Sequence, residues 1–179
     1  MAVHLRPWRE DDASALLAAR RSNTDLVTQF GDAELADETD AREFIASRLS
    51  YGDGAKNWAI VVDGDPVGNV GLGAINRRHD SAWAHYWLAN NARGHGYAGS
   101  ALTAVAAWAF GAGLFRLELG HRVNNLASCR VANTAGFLVE GLERQKLRYG
   151  DSRFDVETHA RLATDPKPAR PRHDIPIRS

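Results

Sequence analysis

The chain has 179 residues, 44% of them hydrophobic, with 22 basic side chains against 22 acidic ones, so its formal net charge is zero. That length fits one domain with a core of its own, and the charge balance excludes both the basic face of a nucleic-acid binder and the long acidic runs of a disordered tract. One cysteine, Cys129, excludes an internal disulfide framework. The seven histidines fall in no C-x-x-C or H-E-x-x-H spacing, so no metal is expected. The N-terminal MAVHLRPWREDD has no apolar targeting segment and no stretch reaches membrane-spanning length, so the chain reads as cytosolic, with neither nucleic acid nor membrane among its partners.

In chain order, residues 3–6 suit a short strand, and Asp11 or Asp12 then caps a helix through ASALLAARRS with Leu16 and Leu17 inward. Residues 22–38 are polar and acidic (Asp25, Asp32, Glu34, Asp37, Glu38); Thr39 can cap a second helix, DAREFIASRL, carrying Phe44, Ile45 and Leu49. The acidic stretch Asp32 to Asp40 reads equally as a solvated loop or as a lure for a cationic amine. NWAIVV and PVGNVGLGAI flank Asp63-Gly64-Asp65, a hairpin signal, and SAWAHYWLA makes a third strand. A helix follows through GSALTAVAAWAFGAG, apolar almost all round and therefore buried, stopped by Gly111 and Gly113. FRLELGHRV reads as a strand, NNLASCRVANTAG as a short helix capped by Asn124 or Asn125, and FLVEGLERQKLRY with RFDVETHARL as a closing hairpin across Gly150-Asp151. The domain so read spans 1–162. Residues 163–179, with four of the six prolines and no apolar periodicity, form an extended or disordered tail.

ARGHGYAG, at the start of the apolar helix, contains Gly94-x-Gly96-x-x-Gly99. A glycine turn opening a helix suits phosphate of any origin, because bare backbone N–H groups converge where the helix dipole favours an anion. Glu118 lies at a tempting distance for a dinucleotide's ribose, but an antiparallel meander precedes the glycines and a hairpin ends the chain, which leaves no room for a doubly wound parallel sheet. The other plain reading is a structural turn with no ligand.

Arg93-Gly94-His95-Gly96-Tyr97-Ala98 has the form R-x-x-G-x-A, and together with RLELGHRVNNLASCRVANTAGFLVEG it resembles the GCN5-related N-acetyltransferases, in particular their RimJ/RimL-type branch. The resemblance covers residues 3 to 162 and implies a mixed α/β fold: a central, mostly antiparallel sheet with one splayed parallel strand pair and helices on both faces. It also implies transfer of acetyl from acetyl-CoA to a primary amine, either a protein N-terminal α-amine or a small molecule, by direct attack in a ternary complex, with a homodimer as the family habit. By matching positions, the main chain of Arg93, Gly94, His95, Gly96, Tyr97 and Ala98, with Gly99 close by, takes the pyrophosphate. The backbone of Trp87, Leu88 and Ala89 takes the pantetheine arm, Asn125 contacts its side, Ser128 protonates the departing thiolate, and Arg130 reaches the nucleotide phosphates.

The chemistry needs a deprotonated amine, a thioester beside it, donors for the tetrahedral oxyanion and a proton for the sulfur. Backbone N–H groups near Leu88 are the implied donors. Many relatives carry a glutamate on the strand that here reads AWAHYW, without a carboxylate, so the base is open. His121, four positions before Asn125, is the first candidate and His85 the second. Either reads equally as a satisfied structural side chain, and a water relay or an already neutral amine would need neither. Cys129 reads as packing, and Trp83, Tyr86 and Trp87 as core or tunnel lining. Two alternatives stand beside the transferase: an acyl-CoA-binding sensor without turnover, and an acyltransferase for a donor such as succinyl-CoA, for which Arg77, Arg78 and Arg122 are available.

Overall fold

The computed structural model describes residues 2–22, 26, 30 and 35–178. The elements run β1 (Val3–Pro7), α1 (Ala13–Arg21), α2 (Glu38–Arg48), β2 (Lys56–Val62), β3 (Asp65–Asn76), β4 (Ser81–Leu88), α3 (Tyr97–Gly111), β5 (Arg116–Arg122), α4 (Leu126–Thr134), β6 (Leu138–Tyr149) and β7 (Ser152–Leu162). The strands form a 7-stranded sheet in the order β1-β2-β3-β4-β5-β7-β6. Every neighbouring pair is antiparallel except β4 and β5, so the expected mixed α/β fold is the one found. No described helix is long and apolar enough to cross a membrane.

Two apolar layers sandwich the sheet. On one face Leu16 and Leu17 of α1 and Ala41, Phe44 and Ile45 of α2 pack on Ala59, Val61 and Trp87. On the other, Ala101, Leu102, Val105 and Ala106 of α3 pack on Trp58, Ile60, Leu72, Leu117 and Leu119, with Ala132 and Phe137 closing the α4 side. The alanines of α3 let that helix lie close to the sheet, which explains a sequence apolar around most of its circumference.

Several ends differ from expectation for local reasons. Asp12 does not cap α1, because its carboxylate accepts both Arg6 guanidinium nitrogens (2.7 and 2.8 Å) and the Arg9 N–H. Asp37, not Thr39, caps α2, accepting from the N–H groups of Thr39 and Asp40. Of the acidic stretch, Asp25, Asp32 and Glu34 lie outside the described residues. After β7 the proline-rich segment runs back along the domain. Pro168 meets Gly136, Ile175 is buried against the α3 layer, and Leu5 exchanges backbone bonds with Pro176 and Arg178.

Candidate active site

The parallel pair sets the site. β4 and β5 are bonded only over Ser81–Trp83 and Arg116–Glu118; β4 continues to Leu88 and β5 to Arg122 without further pairing, so the strands splay. The Ala89 N–H donates to Val67 O at 2.8 Å. By the alternation of an antiparallel ladder, Trp87 and Ala89 therefore turn their main-chain groups toward β3, whereas Tyr86 and Leu88 turn theirs into the gap. The expected backbone trio Trp87, Leu88 and Ala89 is thus divided by the ladder: Leu88, like Tyr86, faces the gap, and Trp87 and Ala89 face β3. The Trp87 side chain belongs to the opposite layer, with its ring 5.8 Å from Trp8 and 5.3 Å from Phe30.

Beyond the gap, residues 93–96 form an exposed turn into the 15-residue α3, whose N-cap is Gly96 in the left-handed region at φ 86° with no capping side chain. A serine or aspartate there would fill the first N–H groups of the helix. With glycine, the N–H groups of residues 94–99 have no acceptor among the described residues; the next, from Ser100, reaches Gly96 O. Six consecutive unpaired N–H groups at a helix N-terminus suit a pyrophosphate. The array takes in the expected residues from Gly94 to the buried Gly99 but not Arg93, whose N–H donates to Asn90 O at 3.3 Å.

α4 brings the other groups to the open end of the gap. Asn125 caps it, its Oδ1 accepting the Ser128 N–H at 3.1 Å, and the Tyr86 hydroxyl donates to Ser128 O at 3.2 Å. Ser128 Oγ has no protein partner among the described residues. Burial pushes the Tyr86 phenol up to about 12, so it remains a donor at neutral pH. Arg130 is exposed on α4.

The two histidines differ. His85 lies under the α1/α2 layer, its Nε2 2.9 Å from Asn57 Oδ1, which also takes the Asn69 amide; Trp8 Nε1 donates to Asn69 Oδ1. Gly71 is required beside it, because a Cβ there would stand 2.5 Å from Asn57 Oδ1 and 2.6 Å from His85 Nε2. Desolvation lowers the His85 pKa below 6.5, only partly opposed by the Trp83 backbone. The fold thus holds this imidazole neutral while the unfolded chain protonates it as pH falls below 6.5, so stability falls with acid across that window. His85→Gln, which keeps a donor toward Asn57, will flatten part of that acid-side decline in urea midpoints measured from pH 7 downward; an unchanged slope will show that His85 does not cause it. Asn57 thus satisfies the His85 Nε2.

His121 points to the α4 side and joins two residues that sequence reasoning missed. Its Nδ1 bonds Arg122 O (3.0 Å), so that nitrogen carries the hydrogen and Nε2 presents a lone pair. Nε2 lies 3.0 Å from His159 Nε2 and 3.5 Å from Glu157 Oε1, and His159 Nε2 lies 2.9 Å from the same oxygen. With its hydrogen on Nε2, His159 thus faces two acceptors, His121 Nε2 and Glu157 Oε1. Cys129 Sγ approaches Glu157 Oε1 at 3.9 Å, which ties the group to α4 next to Ser128. Both histidines are buried while the Glu157 side chain is 29% exposed, making the carboxylate the group nearest solvent. The available signal was D-V-E-T-H-A-R: Asp155, Glu157, His159 and Arg161 alternate along one face of β7. These three donor atoms, all within 4.8 Å, have a spacing that could also hold a metal ion, but their mutual hydrogen bonds account for it.

Farther along the same face of β7, Asp155 and Arg153 border an open cleft of about 690 Å³ with Val123, Asn124, Gln145, Asp151 and Phe154. Arg77 bonds Ala112 O at the far end of α3, Arg78 sits in the neighbouring β3–β4 turn, and Arg122 stacks on Tyr149 and Phe154, so the three arginines do not gather.

A parallel pair that splays beside a bare, glycine-capped helix is the site architecture, and the family the chain belongs to shares this fold. The chain belongs to the acetyltransferase (GNAT) domain family, whose model matches residues 2–138. The ribosomal-protein-serine acetyltransferase of Escherichia coli (strain K12) is 30% identical over 109 residues, which is 60% of this chain and 61% of that protein, so the match spans less than two thirds of the relative. Among solved structures, RimL, a ribosomal L7/L12 alpha-N-protein acetyltransferase in complex with coenzyme A, superposes with a TM-score of 0.82 at 24% identity over 90% of this chain and 94% of that one. Mycobacterium smegmatis RimJ, in complex with a CoA disulfide, gives 0.75 at 26% identity over 90% and 82%.

Proposed function

We propose that the protein transfers acetyl from acetyl-CoA to a primary amine, with a peptide N-terminal α-amine as the favoured acceptor. The observation that carries this reading is the open edge of β4 leading to six unpaired N–H groups at the start of α3. The name of the E. coli relative supports a ribosomal-protein type of acceptor. Acetyl-CoA supplies the thioester. The turn from Arg93 to Gly99 holds its phosphates, Tyr86 and Leu88 bond the arm, and the Leu88 N–H faces the charge that develops on the carbonyl oxygen. Ser128 Oγ gives a proton to the sulfur, and Asn125 and Tyr86 hold its backbone in place. The amine's proton goes to the Glu157–His159–His121 cluster, in which two acceptors share one donated hydrogen. Glu157 meets the amine, and the two histidines position its Oε1. This restores the carboxylate that β4 lacks, from β7 instead, and gives His121 a positioning role rather than direct contact.

The cleft along β7 is the acceptor's approach, with Asp151 and Asp155 facing a cationic amine. A cytoplasmic location and a homodimer are part of the same reading. The dimer is supported by the exposed Leu138, Val139 and Leu142 on β6, the end strand of the sheet. The test is acceptor-dependent thiol release with peptides of varied N-terminus beside small amines. Ser128→Ala is expected to lower turnover about tenfold to a hundredfold while leaving the acetyl-CoA Kd unchanged. Tight acetyl-CoA binding with no release for any acceptor would instead favour a sensor without turnover.

A further inference from the structure

The segment after β7 is not accounted for by the transferase fold, and its course is specific. The stem of Arg172 lies on the glycine turn: a Cβ at Gly96 would stand 3.0 Å from its Cδ and 3.4 Å from its Cβ. The next residue, His173, is fastened to the same turn at three points. Its N–H donates to Ser100 Oγ (3.1 Å), its Nε2 donates to His95 O (2.8 Å), and its ring lies 4.9 Å from that of Tyr97. Buried Ile175 and the bridge from Ile177 to Leu5 anchor the segment beyond this point. In a chain without net charge, residues 163–179 carry Lys167, Arg170, Arg172 and Arg178 against only Asp165 and Asp174. Arg172 is exposed, and its guanidinium has no hydrogen-bond or ion-pair partner among the described residues.

We propose that this C-terminal strap is a working part of the coenzyme A site, with Arg172 supplying a cation to the CoA phosphates and His173 holding the turn in its phosphate-binding form. The assignment rests on the acetyl-CoA reading above. The physical reason is complementary. An anion cradle built of N–H groups works only if its carbonyls point elsewhere, and the bond from His173 to His95 O keeps one of them turned away. The main-chain N–H groups supply dipoles and no full charge, whereas coenzyme A brings several phosphate charges. A guanidinium whose stem already rests on Gly96 can reach them, and an arginine fork matches phosphate oxygens.

The experiment is calorimetric titration of the intact protein and of Arg172→Ala and Arg172→Lys with acetyl-CoA, 3′-dephospho-CoA and S-acetylpantetheine, each at low and moderate salt. Arg172→Ala is expected to weaken acetyl-CoA about tenfold and to reduce the salt dependence of binding, with Arg172→Lys intermediate and S-acetylpantetheine indifferent to all three proteins. The dephospho ligand assigns the contact: a loss shared with it places Arg172 on the pyrophosphate, and a loss confined to acetyl-CoA places it on the 3′-phosphate. His173→Ala is expected to weaken both phosphate-bearing ligands while thermal unfolding reports whether the domain is intact. Equal affinities for the intact protein and Arg172→Ala would overturn the strap assignment and leave the transferase reading standing. Tighter binding by Arg172→Ala would overturn it as well, making the strap an occupant of the site. No acetyl-CoA binding by the intact protein would remove the underlying reading and the strap with it.

Discussion

Gly96→Val will weaken acetyl-CoA binding by about two orders of magnitude, the equivalent of losing one or two hydrogen bonds to a charged group. Gly96 holds φ 86°, a region in which an L side chain is strained and a β-branched one most of all. Its replacement forces the turn toward negative φ, which rotates neighbouring N–H groups out of the array formed by residues 94–99. The added side chain also displaces the stem of Arg172. The effect should fall on the ligand more than on the fold, since residues 93–96 are exposed and the α3 core contacts begin at Tyr97. Calorimetry with acetyl-CoA, paired with thermal unfolding, measures both. An unaltered Kd would mean that the turn does not hold the phosphates.

Glu157→Gln is the second large expectation: kcat down about a hundredfold to a thousandfold, with acetyl-CoA affinity and unfolding temperature close to those of the parent protein. Glutamine keeps the size and can still accept from His159 at 2.9 Å, but it takes no proton from an ammonium. His159→Phe should lower kcat less than Glu157→Gln does, because it removes the hydrogen that fixes Glu157 Oε1 but leaves the carboxylate in place. Full activity in Glu157→Gln would return the base to a water relay or to a neutral amine. A lower unfolding temperature accompanied by lost acetyl-CoA binding would show that the residue only supports the structure.

The sequence by itself determined the elements and the site's chemistry to the extent that each is local. Helix and strand periodicities, the Asp63-Gly64 hairpin and the turn across Gly150-Asp151 depend on residues a few positions apart, and they stand in the structure nearly where they were expected. The glycine turn was legible for the same reason, since an uncapped helix opening behind glycines is a property of one short stretch. Tertiary structure decided everything that depends on two distant segments meeting. Which of Trp87, Leu88 and Ala89 faces the gap is fixed by the ladder with β3, a register no single strand displays. The separation of the two histidines came from opposite faces of the sheet: His85 is turned to Asn57, and His121 to Glu157 and His159 across the β5–β7 ladder. The tail had no periodicity to read because it forms no regular element of its own. Its position comes from fastenings as far apart in sequence as His173 and His95, and burial of Ile175 together with bonds to the edge of β1 holds it where chain entropy alone would leave it loose.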